Sequence, residues 1–182
     1  MATKRMFDLQ FDEVWKWYLY RISECEHVVP NSGHYSLVHF ENLLDNFALI
    51  SQNVDGLNLR AGSSVQNFYP IHGDLTFMRC SKECTTNLYY LPVELKKGRK
   101  KDQPLSTQDK NLLQCPNCGA TTRPHVLWFD EYYNEEFYKF NSVQHIALKT
   151  DVLISIGTMA TTNLPNQVFA TAYHNHSLMV DI

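Results

Sequence analysis

A chain of 182 residues with 44% hydrophobic and 13% aromatic residues is long enough to bury a core and too apolar to be disordered. A formal net charge of −3 gives no general reason to expect a nucleic-acid partner, and no apolar run of about 18 residues is present to cross a bilayer. Met1-Ala2-Thr3-Lys4-Arg5 leads straight into Phe7-Asp8-Leu9, so the start does not read as a secretory signal.

In chain order, residues 12–27 are expected to form a helix. Val14, Trp15, Tyr18, Leu19 and Ile22 recur at three- and four-residue spacing, and Pro30-Asn31 closes the segment. A second helix is expected from Ser32 or Gly33 to Leu44, then a buried strand at Phe47-Ala48-Leu49-Ile50-Ser51. The chain turns polar and glycine-bearing through Asp55-Gly56 and Ala61-Gly62. From Ile71 to Pro124, cysteine pairs, Gly, Pro, Lys and Asn crowd in with little periodicity, which predicts an insertion held by something other than a core. The basic run Lys96-Lys97-Gly98-Arg99-Lys100-Lys101 within it reads as a solvated loop. Apolar order resumes at Val126-Leu127-Trp128-Phe129, followed by a helix over 134–147 and a strand at Val152–Ile156. A helix from Pro165 to Tyr173 and a last strand, Ser177–Ile182, complete the pattern. Apolar strands alternating with helices predict an α/β fold with a parallel sheet covered by helices.

Five cysteines are present, and four of them form two close pairs. Without a secretory signal this favours metal over disulfides. Cys80-x3-Cys84 and Cys115-x2-Cys118, 30 residues apart, have the spacing of two knuckles that bring four thiolates around one structural Zn²⁺. A closed four-cysteine set leaves no coordination position open for catalysis. Cys25, on the first helix, reads as a small buried hydrophobe.

The segments flanking the cysteines carry further signals. Ser51-Gln52-Asn53-Val54-Asp55-Gly56-Leu57, Ala61-Gly62 and Ile71-His72-Gly73 stand before them. Arg123-Pro124-His125-Val126-Leu127-Trp128-Phe129-Asp130-Glu131 and Gly157-Thr158 stand after. In this order the motifs resemble those of the sirtuins, and the resemblance covers nearly the whole chain. It implies a Rossmann-like parallel sheet with an inserted zinc ribbon, divided as residues 1–71, 72–124 and 125–182. It further implies an NAD-dependent protein-lysine deacylase that transfers the acyl group to ADP-ribose and releases nicotinamide.

Carried over by position, the resemblance gives His72 the role of the base that deprotonates a ribose hydroxyl, a task suited to a group titrating near neutral pH. Asn53 joins it in catalysis, with Gln52 and Asn53 on the ribose and an ordered water. Asp55 receives the nicotinamide carboxamide, and Gly157 and Thr158 approach the cofactor at a second strand end. Val126, Leu127, Phe129 and Asp130 match the segment against which an extended acyl-lysine peptide pairs, with Leu127 and Phe129 lining the acyl pocket. Tyr18 and Arg21 match a Tyr-x-x-Arg pair that, in one branch of the family, reads succinyl- or malonyl-lysine. A guanidinium fork suits that carboxylate.

The sequence departs from the family pattern at Asn58, where His is usual, at Met159, where Ser is usual, and at Asp130, where Gly is usual. The family's phosphate-binding Gly-Ala-Gly turn and first strand lie outside the sequence, so the sheet is expected to be incomplete and turnover by this chain alone to be weak. The expected cofactors are NAD and one Zn²⁺. The expected partners are acylated-lysine protein substrates, with no membrane and no direct nucleic-acid binding, in an intracellular, cytoplasmic setting. Two other readings stay open: protein ADP-ribosyl transfer, and a non-catalytic zinc-stabilised module that binds acyl peptides.

Overall fold

Thr3 starts the first helix of the computed structural model, which describes residues 1–182: its hydroxyl accepts the Met6 N–H at 3.1 Å. This begins α1 (Lys4–Leu9), and α2 (Phe11–Cys25) follows almost without a break. The apolar stripe expected on α2 is the one it buries, with Val14, Trp15, Tyr18 and Leu19 all under 5% exposed. Asn31 caps α3 (Ser32–Leu43) through a reciprocal box with His34. Next come β1 (Leu49–Ser51), α4 (Leu57–Ala61) and β2 (Phe68–Pro70), the two strands pairing in parallel.

The cysteine-bearing segment supplies β3 (Gly73–Cys80), β4 (Tyr89–Tyr90), α5 (Val93–Lys96), α6 (Thr107–Leu112) and β5 (Thr122–Val126). Its strands form an antiparallel sheet in the order β4-β3-β5. The expectation that this segment is held by something other than a core is corrected. Met78, Leu91, Leu95, Leu113 and Val126 share one cluster with Phe7, Val14, Trp15, Tyr18, Leu19 and Trp128. The Trp15 indole N–H also donates to the Thr122 carbonyl at 2.8 Å. Short irregular elements hid this core, since each contributes only one or two apolar residues. Arg99 is likewise buried rather than solvated, because its guanidinium pairs with Asp109 at 2.8 Å. Cys25 is exposed, at the end of α2 beyond the turn that packs.

The chain folds as two compact units, Met1–Tyr132 and Tyr133–Ile182. The second contains α7 (Glu135–Tyr138), α8 (Phe140–Leu148), β6 (Val152–Ser155), α9 (Asn163–His174) and β7 (Leu178–Asp181). The single helix expected over 134–147 is two, because Lys139 adopts a left-handed conformation with φ 57°. Strands β6 and β7 pair in parallel, joined by α9, which buries Leu164, Pro165, Val168 and Ala172. Parallel pairs with helical connections are the α/β architecture expected from the sequence, and the antiparallel sheet carries the cysteines. No helix is long and apolar enough to cross a membrane.

Candidate functional site

The carboxyl ends of β1 and β2 place the first group of residues. Parallel pairing sets Ser51 beside Pro70, and the Ile71 N–H donates to the Ser51 carbonyl at 3.0 Å. Gln52 and His72 therefore emerge next to each other, and His72 Nδ1 lies 3.0 Å from the Gln52 carbonyl. A carbonyl only accepts, so Nδ1 carries the proton and Nε2 is the basic nitrogen. Burial lowers the His72 pKa below the usual histidine value, more than the carbonyl bond raises it, so the ring is neutral at pH 7. The next backbone position is fixed by packing. Gly73 has φ 90°, and a Cβ there would lie 2.1 Å from the His125 carbonyl oxygen.

The loop after β1 is tied down by small contacts. The Asn53 N–H donates to Ser51 Oγ at 3.2 Å, and the Val54 carbonyl accepts from the Leu75 N–H at 2.9 Å. Asp55 Oδ1 accepts the Leu57 N–H at 2.9 Å, an Asx turn that starts α4. Asn53 is exposed, while Gln52 and Asp55 are half-buried. Asp74, on β3 beside this loop, is a buried carboxyl that no sequence motif marks. Burial raises its pKa, against two 2.7 Å bonds from Thr76.

The segment expected to be a peptide-pairing strand, Val126–Asp130, is corrected. Strand β5 ends at Val126, and residues 127–131 form a closed turn. Its N–H groups are already engaged: Leu127 with the His72 carbonyl at 2.9 Å, Trp128 with Glu131 Oε2 at 3.0 Å, and Phe129 with the Ala2 carbonyl at 3.1 Å. Phe129 does not line an enclosed pocket; its side chain is 88% exposed, whereas Leu127 is half-buried. The Asp130 carboxylate accepts the Lys4 and Arg5 N–H groups at 2.6 and 3.0 Å, so it serves the amino end of α1. Tyr18 is buried, its hydroxyl accepting the Trp128 indole N–H at 2.8 Å, and burial raises its pKa. Arg21 is exposed and lies 4.7 Å over the Trp17 ring. The pair expected to read an acyl carboxylate thus has an exposed cation and a sequestered phenol.

The four cysteines converge as the spacing predicted. Their sulfurs all lie within 4.8 Å of one another, with Cys80–Cys118 at 3.6 Å and Cys84–Cys115 at 3.7 Å. A tetrahedron with Zn–S bonds of about 2.3 Å has edges of about 3.8 Å, so the donor set fits one Zn²⁺. Burial opposes ionisation of Cys80, but hydrogen bonds from Cys84, Lys82 and Cys118 bring its pKa down to about 7. In the second unit, Gly157 (φ 59°) and Thr158 follow the carboxyl end of β6. The Gly157 N–H donates to the Ile182 carbonyl at 3.0 Å, and Thr158 Oγ1 accepts the Ala160 N–H.

Known proteins share this sequence pattern and fold. A model of the Sir2 family matches residues 1–163. The chain belongs to the Sir2 family. It is 34% identical over its whole length to an NAD-dependent protein deacylase of Leptospira interrogans, of which it covers 67%. An NAD-dependent protein deacylase of Thermus thermophilus is 30% identical, again over the whole chain and 65% of its own length. Among solved structures, a Sir2 homologue in complex with NAD superimposes with a TM-score of 0.81 at 28% identity, covering 99% of this chain and 63% of that one. The chain thus spans about two thirds of the length of these Sir2 relatives.

Within the Sir2 pattern, the sequence marks Arg123 and Glu131 as motif letters without a role, and it does not mark Arg79 at all. Arg79 and Arg123 each stand inside a strand, Arg79 between Met78 and Cys80, which is the signal of a buried charge; Glu131, five residues past β5, carries no such signal. Arg79 and Arg123 are 2% and 1% exposed. The Arg123 guanidinium binds Glu131 through both terminal nitrogens, donates to the Val126 carbonyl at 2.8 Å and stacks 3.5 Å over the Trp128 ring.

Proposed function

We propose that this chain carries the chemistry of an NAD-dependent protein-lysine deacylase, moving an acyl group from lysine to ADP-ribose with release of nicotinamide. The observation that carries the reading is His72: a neutral imidazole, its tautomer set by the Gln52 carbonyl, at the carboxyl edge of a parallel strand pair. Open α/β sheets bind their ligands at that edge. The activity for which the Leptospira and Thermus relatives are named agrees with it.

NAD, when bound, supplies the anomeric carbon that accepts the acyl oxygen and the nicotinamide leaving group. His72 Nε2 takes the proton from a ribose hydroxyl, which its depressed pKa allows at neutral pH. Gln52 and Asn53 orient the ribose and a water beside it. Asp55 accepts the nicotinamide amide, and its bond from Leu57 holds the carboxylate without exhausting its four lone-pair sites. Gly157 and Thr158 meet the cofactor at the end of β6. Cys80, Cys84, Cys115 and Cys118 hold one structural Zn²⁺. The peptide meets the turn around Leu127 and Phe129 through side chains and carbonyls, since the turn's N–H groups are engaged. An acidic acyl group would be read by Arg21, with Tyr18 behind it able to donate its own O–H.

The test is nicotinamide release by zinc-loaded protein, with and without acyl-lysine peptides. Release that needs the peptide and disappears in His72→Ala supports the reading. Peptide-independent transfer of ADP-ribose to protein would overturn it in favour of ADP-ribosyl transfer. The acyl preference is read from the ratio of succinyl- to acetyl-peptide rates, which should fall about 10-fold or more in Arg21→Ala, the loss of one charge-assisted contact.

A further inference from the structure

Strands β3 and β5 set two arginines directly opposite one another: Arg79 and Arg123 are register partners. Like charges facing across a strand pair repel, and both guanidiniums are withdrawn from water. Such a pair persists only with negative charge between and around it. Glu131 supplies that charge, bound to Arg123 and 4.0 Å from Arg79 Nη2. Glu83 supplies the second, at 2.5 Å from Arg79 Nη1. His125, on the same strand as Arg123, is held neutral by burial and by both arginines, so it adds no third cation.

The two carboxylates belong to different places. Glu83 lies inside the first cysteine knuckle, with a left-handed backbone at φ 51°, and Arg79 immediately precedes Cys80. Glu131 closes the 127–131 turn by accepting the Trp128 N–H, while the Glu131 N–H returns to the Trp128 carbonyl at 3.0 Å. The charges therefore run Glu83–Arg79–Glu131–Arg123 from metal knuckle to turn, with little water to screen the inner three.

We infer that Arg79 and Glu131 are positioning residues that couple the four-cysteine zinc knuckle to the 127–131 turn. That the turn meets an acyl peptide rests on the deacylase reading; the coupling itself does not. By reciprocity, whatever steadies the turn also steadies the metal, and loosening the turn loosens the knuckle.

A double-mutant cycle on the zinc-loaded protein tests this: wild type, Arg79→Met, Glu131→Gln and the double variant. Arg79→Met leaves Arg123 and Glu131 neutralising one another, and Glu131→Gln keeps an acceptor for the Trp128 N–H. The first reading is the rate of zinc release to a chelating dye. The second is deuterium uptake over residues 127–131, with uptake over α2 as the folding control. Each single variant should release zinc about 10-fold faster and raise uptake at the turn, with α2 protection unchanged and the double variant no worse than the worse single. Glu83→Gln, at an exposed position, should raise turn uptake as well without touching the turn. Unchanged release in Glu131→Gln, or rates that multiply in the double variant, would overturn the coupling. Coupling without any acyl-peptide affinity would leave this inference standing and sink the deacylase reading instead.

Discussion

His72 lies between two loops that are built in opposite ways. Its side chain meets the 52–56 loop at the Gln52 carbonyl, and its own carbonyl holds the 127–131 turn through Leu127. The 52–56 loop is held by single hydrogen bonds, one of them to the Asp55 carboxylate, with no ion pair among them, and leaves Asn53 exposed. The turn is pinned by buried charges, an indole–phenol bond and a carboxylate at the start of α1. The difference shows a division of labour around one residue. Under the proposed function, the cofactor would meet the side that can yield when a ligand arrives, and the peptide the side that is fixed beforehand. Mutations on the two sides should then fail differently, the turn by losing local order or stability and the loop by losing ligand.

The most severe way to break this contrast is to strip the metal. A structural four-cysteine zinc site contributes on the order of 10 kcal/mol, comparable with the whole stability of a domain. A chelator should abolish the cooperative melt of the first unit in circular dichroism; a melt unaffected by chelation would mean that the core alone holds the sheet. Acid comes next. The His125 pKa is about 3 in the folded protein, depressed first by burial and then by Arg79 and Arg123. The unfolded chain binds a proton there near pH 6.5, so stability is full above that pH and is lost as pH falls towards 3. The full loss amounts to about 5 kcal/mol, and roughly 3 kcal/mol of it should appear as declining urea midpoints between pH 7 and pH 4.

Replacing Glu131 with Leu strands the buried Arg123 guanidinium, while Arg79 keeps Glu83, and should cost about 3–5 kcal/mol in denaturant melts. A cost under about 1 kcal/mol would mean that the turn is not charge-pinned. At the small end, Asn53→Ala should change stability by less than about 0.5 kcal/mol, as an exposed side chain does. Its effect should appear in calorimetry instead, as NAD affinity weakened about 10-fold or more, the loss of a polar contact made by the side chain.

Much of this was legible from residue spacing. The stripe Val14, Trp15, Tyr18, Leu19 gave α2, and the four cysteines gave their own convergence, because both patterns are local. Gln52 and His72 were readable as neighbours only through the family motif, since parallel pairing of β1 and β2 joins them across 20 residues. The Arg79–Arg123 opposition was not legible, because strand register decides which charged residues face each other. Nor was the break at Lys139, where one left-handed residue divides an otherwise helical pattern. Asp130 stood out as a departure, but its service to α1 depends on a contact 126 residues away in sequence.

Trp128 gives the turn an optical consequence. Its indole N–H is hydrogen-bonded to Tyr18, and a guanidinium lies against its ring. Of the three tryptophans, Trp15 is locked in the α2 core and Trp17 also lies under a guanidinium, that of Arg21, so what sets Trp128 apart is its indole bond to Tyr18 together with the closer Arg123 stack. Loss of the Arg123 stack or of the Tyr18 bond changes both the polarity and the charge that the indole senses. The protein therefore carries its own fluorescent gauge, and the peptide contact proposed at Phe129, one residue away, would be followed by tryptophan emission without attaching a dye.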